Sequence, residues 1–73
     1  MDREQWRWEF GDRLRLAREA RGMTQGMLAA DIGVHKNVLG DYERGVHEPT
    51  VYVMAKIAVA LGVSADELLG VKQ

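Results

Sequence analysis

The sequence of 73 residues predicts an all-α protein, a compact bundle of five helices. Apolar residues recur three and four positions apart, which is the spacing of the buried side of an amphipathic helix. Residues that cap helix starts and glycines that end helices separate these segments, and no alternating apolar and polar run is long enough for a clear strand. The chain has no linker and no internal repeat, so residues 1–73 are expected to form one domain.

The first helix is predicted to run from about Arg3 to Arg21, with Gly22 at its end. Its buried side carries Trp6, Phe10, Leu14 and Ala17. Trp8 lies off this side, so we expect it either to cover the end of a helix or to join a surface for a partner. Good helix formers dominate this stretch, which favours a helix over a disordered arm.

Two short helices joined by a tight turn are predicted within residues 24–45, TQGMLAADIGVHKNVLGDYERG. Thr24 suits the N-cap of the second helix, whose apolar residues are Met27, Leu28 and Ile32. Gly33 can end that helix because glycine readily adopts the left-handed conformation. His35 opens the third helix, which Gly45 closes and whose inward side carries Leu39 and Tyr42. A helix, a glycine turn and another helix is the geometry that presents the second helix to the DNA major groove.

The fourth helix is predicted to start after Pro49, with Thr50 as its N-cap and Gly62 at its end. Its expected core residues lie three and four positions apart: Val51, Met54, Ile57, Ala58 and Leu61. The fifth helix is short, and Ser64 and Glu67 have the spacing of a capping box ahead of Leu68 and Leu69.

Composition excludes several classes of function. The chain has no cysteine, and its two histidines, His35 and His47, lack a metal-binding helical spacing, so we expect no metal and no cofactor. No apolar run is long enough to span a membrane and the N-terminus lacks a signal-peptide core, so we expect a cytoplasmic protein without a membrane partner. A glycine-rich phosphate loop and a catalytic triad are also missing, so we expect neither an enzyme nor a small-molecule ligand.

The formal net charge of −1 is a mild argument against nucleic acid, because DNA-binding domains are usually basic. The distribution of charge matters more than its total, however. Six arginines lie within the first 21 positions, whereas Asp66 and Glu67 lie near the other end, where they can face away from a polyanion.

The chain resembles the phage-repressor and Cro-like, or XRE-type, class of bacterial helix-turn-helix regulators over roughly Phe10 to Leu69. The matching pieces are FGDRLRLAREARGMTQ, LA at 28–29, GV at 33–34, L-x-x-Y-E-x-G at 39–45, Pro49 and IAVALGVSADELL. The resemblance implies a five-helix bundle that binds operator DNA, usually as a dimer, with a size similar to that of restriction–modification controller proteins. The chain departs from the family at His35, where Ser or Thr is preferred, and at Gly26 and Gly40.

We therefore predict a sequence-specific transcriptional regulator that binds double-stranded DNA as a homodimer on a two-fold operator, with the recognition helix 35–44 in the major groove. Base contacts are expected from Lys36, Asn37, Val38, Gly40 and Asp41. Lys36 can donate to guanine, Asn37 can pair with adenine, and Val38 can touch a thymine methyl group. Asp41 can accept from cytosine or orient Lys36 or Asn37, and Gly40 allows a closer approach. The alternative for each residue is an ordinary solvated helix surface.

Contacts to the DNA backbone are expected from a second set of residues: Thr24, Gln25, Arg44, His47 and Arg13. The free N–H groups at the start of the second helix can bind an anion, and the resemblance implies that Gln25 touches the backbone there. Such contacts position the protein and carry no sequence information. If the N-terminal stretch were disordered, Arg3 and Arg7 could instead form an arm in the minor groove.

The resemblance also implies a partly buried ion pair between Arg18 of the first helix and Glu43 of the third. It further implies a dimer interface at the fifth helix, at Ala65, Glu67 and Leu68. Tyr52 and Val59 lie opposite the core residues of the fourth helix and could form a separate exposed apolar spot.

A different class of function stays open from the sequence. The near-neutral charge, Gly40 and Asp41 suit a protein-interaction module, or an antitoxin-like adaptor, that keeps the fold and binds DNA weakly or not at all.

Overall fold

The computed structural model describes residues 2–71. It contains the helices α1 (Arg3–Ala20), α2 (Gln25–Ile32), α3 (Lys36–Glu43), α4 (Val51–Leu61) and α5 (Ala65–Leu69). No strand occurs among these residues, and the predicted all-α bundle of five helices is confirmed.

Side-chain caps start all five helices. The capping residues, each of which accepts a backbone N–H from the first turn of its helix, are Asp2, Thr24, His35, Thr50 and Ser64. Gly33 adopts the left-handed conformation predicted for it, with φ of 73°, and ends α2 just before the turn into α3. The predicted helix boundaries hold to within about two residues because these local signals fix them.

The core draws on all five helices. Its fully buried large side chains are Phe10, Leu14, Leu28, Ile32, Leu39, Ile57, Leu61 and Leu68. Helix α3 packs against α1 and α2, while α4 packs against α2 and α5. This arrangement buries Leu39 and Tyr42 on one side of α3, while Lys36 and Asn37 are exposed.

One expectation about an apolar residue is wrong. Val51 was expected in the core but is 89% exposed, because α4 turns Met54, Ile57 and Leu61 inward and Val51 lies at the edge of that side in its first turn. Of the apolar residues noted in α2, Leu28 and Ile32 are buried and Met27 is half-exposed.

The two tryptophans have different positions. Trp6 extends the core as expected: it stacks on Phe10 with ring centroids 5.4 Å apart, and its Nε1–H donates to the carbonyl of Leu69 at 3.3 Å. Trp8 lies off the core side and packs over Gly45, just past the end of α3. It therefore covers a helix end, as one of the two expectations had it.

Helix α1 lies close to the end of α3 at Gly11, which is buried. A Cβ added to Gly11 would lie 2.8 Å from the carbonyl oxygen of Tyr42 and closer still to that of Glu43. The obstacle is backbone, which cannot rotate away as a side chain could. Gly11 therefore sets the distance between α1 and the helix that the sequence predicts to bind DNA.

Among the helices between residues 2 and 71, none combines the length and the apolar character that a bilayer crossing demands.

We predict opposite effects of alanine at two helical glycines. Gly11→Ala should lower the free energy of unfolding by about 1–3 kcal/mol, because the new methyl group pushes α3 away. Gly26→Ala, whose Cβ would meet nothing nearer than Thr24 Oγ1 at 3.9 Å, should raise it by up to about 1 kcal/mol through helix propensity. Urea unfolding followed by circular dichroism measures both. A stabilised Gly11→Ala would contradict the close approach.

Candidate nucleic-acid interface

The two sides of α3 differ in burial as predicted. Leu39 is fully buried and Tyr42 is 7% exposed, and burial raises the pKa of the Tyr42 phenol. The outward side carries exposed or half-buried side chains: Lys36, Asn37, Val38, Asp41 and Arg44. Polar and charged groups therefore project from a helix whose opposite side is anchored in the core.

His35 caps α3 with its ring. Its Nδ1 accepts the backbone N–H of Asn37 at 3.1 Å, which a hydroxyl would do in Ser or Thr. Since Nδ1 must offer a lone pair, the capping form is the neutral imidazole with its proton on Nε2. The departure at this position therefore preserves the cap, and the first turn that holds Lys36 and Asn37 is well defined.

Gly40 does not lie on the accessible surface that the sequence predicts. It is buried because the Arg44 side chain lies over it, with Nη1 only 3.0 Å from where a Cβ would stand. The expectation that Gly40 contacts a base is therefore wrong.

Asp41 forms an ion pair with Arg44, with Oδ1 and Nη2 2.5 Å apart. His47 Nε2 lies 3.9 Å from Asp41 Oδ2. The Asp41–Arg44 pair, three residues apart in sequence, could have been inferred from its spacing.

The start of α2 lies beside the end of α3. Thr24 Oγ1 accepts the N–H of Met27 at 3.1 Å, so its capping role is present. The Gln25 amide donates to Glu43 Oε1 at 3.0 Å and is half-buried. Gln25 therefore joins the two helices, and any contact that it makes with a DNA backbone has to come from its remaining groups.

Arg18 and Glu43 form a buried ion pair that joins α1 to α3. Arg18 Nε lies 2.6 Å from Glu43 Oε2 and Nη2 lies 3.1 Å from Oε1, with side chains only 10% and 4% exposed. Arg18 Nη1 also donates to the carbonyl of Met23 at 2.8 Å. The hydrogen bond to Glu43 raises the pKa of Arg18, so the guanidinium stays charged and the end of α3 is fixed.

Arg13 is placed away from the proposed DNA backbone contacts. Its Nε donates to the carbonyl of Leu68 at 2.7 Å, and its guanidinium packs on Gly70. At about 100° per residue, Arg13 lies on the side of α1 opposite Gly11, which faces α3. The expectation for Arg13 is wrong because this side of α1 packs on α5.

Arg3 and Arg7 belong to α1 and do not form a free arm. Arg3 binds the carboxylate of Glu48 through two N–H groups, both at 2.7 Å. Arg7 Nε donates to the carbonyl of Gly45 at 3.3 Å, and its Nη1 lies 3.7 Å from Glu48. The hydrogen bond from Arg3 lowers the pKa of Glu48. The helical interpretation of this stretch is confirmed, and the minor-groove arm is wrong.

The residues expected at a dimer interface on α5 are not all accessible. Leu68 is 2% exposed and belongs to the core, so its assignment to an interface is wrong. Ala65 and Glu67 are exposed, as expected for the outer side of α5.

The outer side of α4 carries the exposed apolar residues that the sequence predicts there. Tyr52 and Val59 are 71% and 83% exposed. Lys56 Nζ lies 5.2 Å from the centroid of the Tyr52 ring.

Residues 14–68 match HTH_3, the helix-turn-helix family. The chain belongs to this helix-turn-helix family. It is 37% identical to YazB of Bacillus subtilis (strain 168), named as an uncharacterized HTH-type transcriptional regulator, over 68 residues that cover 93% of each protein. It is 38% identical over 60 residues to YonR, a prophage-derived HTH-type transcriptional regulator of the same organism. That match covers 82% of this chain and 56% of YonR, so the chain spans little more than half of that relative.

A crystal structure shows the same family fold. The restriction-modification controller protein C.AhdI from Aeromonas hydrophila is 36% identical and superposes with a TM-score of 0.80. The superposition covers 84% of this chain and 92% of C.AhdI. The resemblance drawn from the sequence motifs, including the similarity to controller proteins, is confirmed.

We predict that the Arg18–Glu43 pair is costly to break on one side only. Arg18→Met should lower the free energy of unfolding by about 3–5 kcal/mol, because it leaves the Glu43 carboxylate buried without its guanidinium. Combining Arg18→Met with Glu43→Leu should recover much of that loss, since the uncompensated charge is gone. Urea unfolding of the two variants and the wild type measures this. A double variant as unstable as Arg18→Met, or more so, would contradict the explanation.

Proposed function

We propose that the chain is a sequence-specific regulator of transcription that binds double-stranded DNA with residues 35–44 in the major groove. The observation that carries the proposal is the two-sidedness of α3: Leu39 and Tyr42 anchor it while Lys36 and Asn37 project from its first turn. Residues at the start of a recognition helix are those that contact base edges. YazB and YonR are named as transcriptional regulators, which agrees with this function.

Base contacts are assigned to the exposed first turn of α3. Lys36 can donate to O6 and N7 of guanine, and Asn37 can pair with N6 and N7 of adenine. Val38, 36% exposed, can contact a thymine methyl group. No catalytic step, cofactor or small-molecule ligand enters this proposal, and we place the protein in the cytoplasm.

Backbone contacts are assigned to groups that flank α3. His47 is two-thirds exposed beyond the end of α3. The N–H groups of the first turn of α2, near Thr24, offer hydrogen-bond donors to a phosphate. These contacts would fix the register of α3 in the groove without selecting a sequence.

We infer that the protein binds DNA as a homodimer, with the outer side of α4 in the interface. Val51, Ala55 and Val59 lie four residues apart, so they line one side of this helix, from the edge of its core side at Val51 to the opposite side at Val59. A helix that is apolar on both sides is typically covered on both. Asp31 and Lys56 border a shallow cavity beside Val59. A second copy suits this surface because each copy offers both an acid and a base.

We predict that removing one exposed amide weakens DNA binding selectively. Asn37→Ala should reduce the affinity for the DNA upstream of the chain's own gene by about fivefold or more, because a bidentate contact to adenine is lost. Gln5→Ala, which removes an amide from the side of α1 near α5, is the control and should bind as the wild type does. Electrophoretic mobility shifts measure both.

The salt dependence of binding separates DNA from a protein partner. Wild-type affinity for DNA should fall steeply as salt is raised, because phosphate contacts release counterions. No binding to any genomic fragment at low salt would reject the DNA-binding function. Tight, salt-insensitive capture of a protein by the same α3 surface would then favour an interaction module with this fold.

We predict that a charge on the outer side of α4 prevents self-association. Val59→Glu should shift the sedimentation of the protein at micromolar concentration from dimer to monomer, because it places a carboxylate in the apolar interface. Leu16→Glu, which alters an apolar residue of α1 that is 59% exposed, should leave the dimer intact. A Val59→Glu protein that stays dimeric would place the interface elsewhere.

A further inference from the structure

The Arg44 side chain occupies a defined position on the outer surface of α3, between Gly40 and Asp41, which we call its seat. Its guanidinium lies over the bare backbone of Gly40, one turn earlier, with Nη1 3.0 Å and Cζ 3.7 Å from where a Cβ of residue 40 would stand. Asp41 holds the same group through the Oδ1–Nη2 contact of 2.5 Å. A residue with a side chain at position 40 would occupy the space that the guanidinium now fills.

This seat restricts a side chain that is otherwise flexible. Arginine carries up to about 2 kcal/mol of rotamer entropy, and a planar guanidinium held in advance loses less of it on binding. Within residues 2–71, the hydrogen bonds of Arg44 to protein side chains involve Asp41 alone. The Arg44 side chain is 64% exposed, so its other N–H groups can reach a ligand in front of α3.

The Asp41 carboxylate, which binds Arg44, indicates what kind of ligand the guanidinium can bind. A phosphate would be attracted by Arg44 but repelled by the Asp41 carboxylate, because both charges lie at one place. A guanine edge is neutral and offers two acceptors, O6 and N7, at the spacing of a guanidinium. An arginine whose charge is balanced by a neighbouring carboxylate is therefore better suited to a base edge than to the DNA backbone.

We propose that Gly40 and Asp41 are positioning residues that hold Arg44 ready to bind the edge of a guanine. This inference rests on the proposed DNA-binding function and changes the roles of all three residues from those predicted from sequence. Arg44 moves from a backbone contact to a base contact, and Asp41 from a base contact to a support. Gly40 acts by leaving the space in which the guanidinium lies.

The seat can be tested first without DNA. In the free protein, ¹⁵N relaxation of the Arg44 Nε–H group should show an ordered side chain in the wild type. It should show a mobile one in Gly40→Ala, where the new methyl group occupies the space of the guanidinium, and in Asp41→Ala, where the carboxylate that holds the guanidinium is gone. A wild-type Arg44 as mobile as in the two variants would overturn the inference, whatever the protein binds.

The second test measures sequence selectivity. Binding sites selected from a random DNA pool by the wild type should contain one guanine whose replacement lowers affinity about fivefold or more. Gly40→Ala should reduce that discrimination, as should Arg44→Ala, and the Gly40→Ala and Arg44→Ala double variant should lose no more than Arg44→Ala alone. Gln5→Ala, on the side of α1 near α5, should leave discrimination unchanged.

Gly40→Ala also separates positioning from folding. Alanine favours a helix, so this variant should be at least as stable as the wild type while it binds less selectively. A loss of affinity that is equal for all DNA sequences, with a salt slope smaller by about one, would assign Arg44 to a phosphate and overturn the inference. Undiminished guanine discrimination in Gly40→Ala would overturn it as well. A wild type that binds no DNA would reject the proposed function itself.

Discussion

The orientation of α3 depends on one buried carboxylate, that of Glu43. Arg18 donates two N–H groups to it from α1, and Gln25 donates a third from the first turn of α2. The same arginine also holds the carbonyl of Met23, in the connection between α1 and α2. Three helices therefore meet at a single charged group. Because that group ends α3, the network fixes the angle at which the outward side of α3 is presented.

A helix of eight residues, such as α3, would not persist alone in water. It is stable here because each part of it is held by something outside itself. His35 caps its start, Leu39 and Tyr42 anchor its middle, and Trp8 covers the turn just past its end. The exposed side chains consequently start from a rigid backbone, which is what recognition of base edges at specific positions requires.

The arrangement of charge explains why the near-neutral net charge says little about function. All six arginines of the N-terminal segment contact the protein itself, by ion pairs or by hydrogen bonds to carbonyl groups: Arg3, Arg7, Arg13, Arg15, Arg18 and Arg21. Five of them join α1 to later parts of the chain, whereas Arg15 pairs with Asp12 within α1. The groups proposed to meet DNA come instead from α3, the turn that follows it and the start of α2.

The sequence by itself determined the helices, their caps and the buried side of α3, because each of these depends on neighbours within a few residues. The motifs also identified the family, and through it the Arg18–Glu43 pair. Only the tertiary structure decided where the long side chains bind and which apolar side chains at the edge of a helix side are buried. Arg13 is directed to α5, Leu68 is in the core and Val51 is outside it. A flexible arginine bonds to whichever carbonyl lies within reach, and an apolar side of a helix is buried only where another helix covers it. Neither is known until the helices are placed.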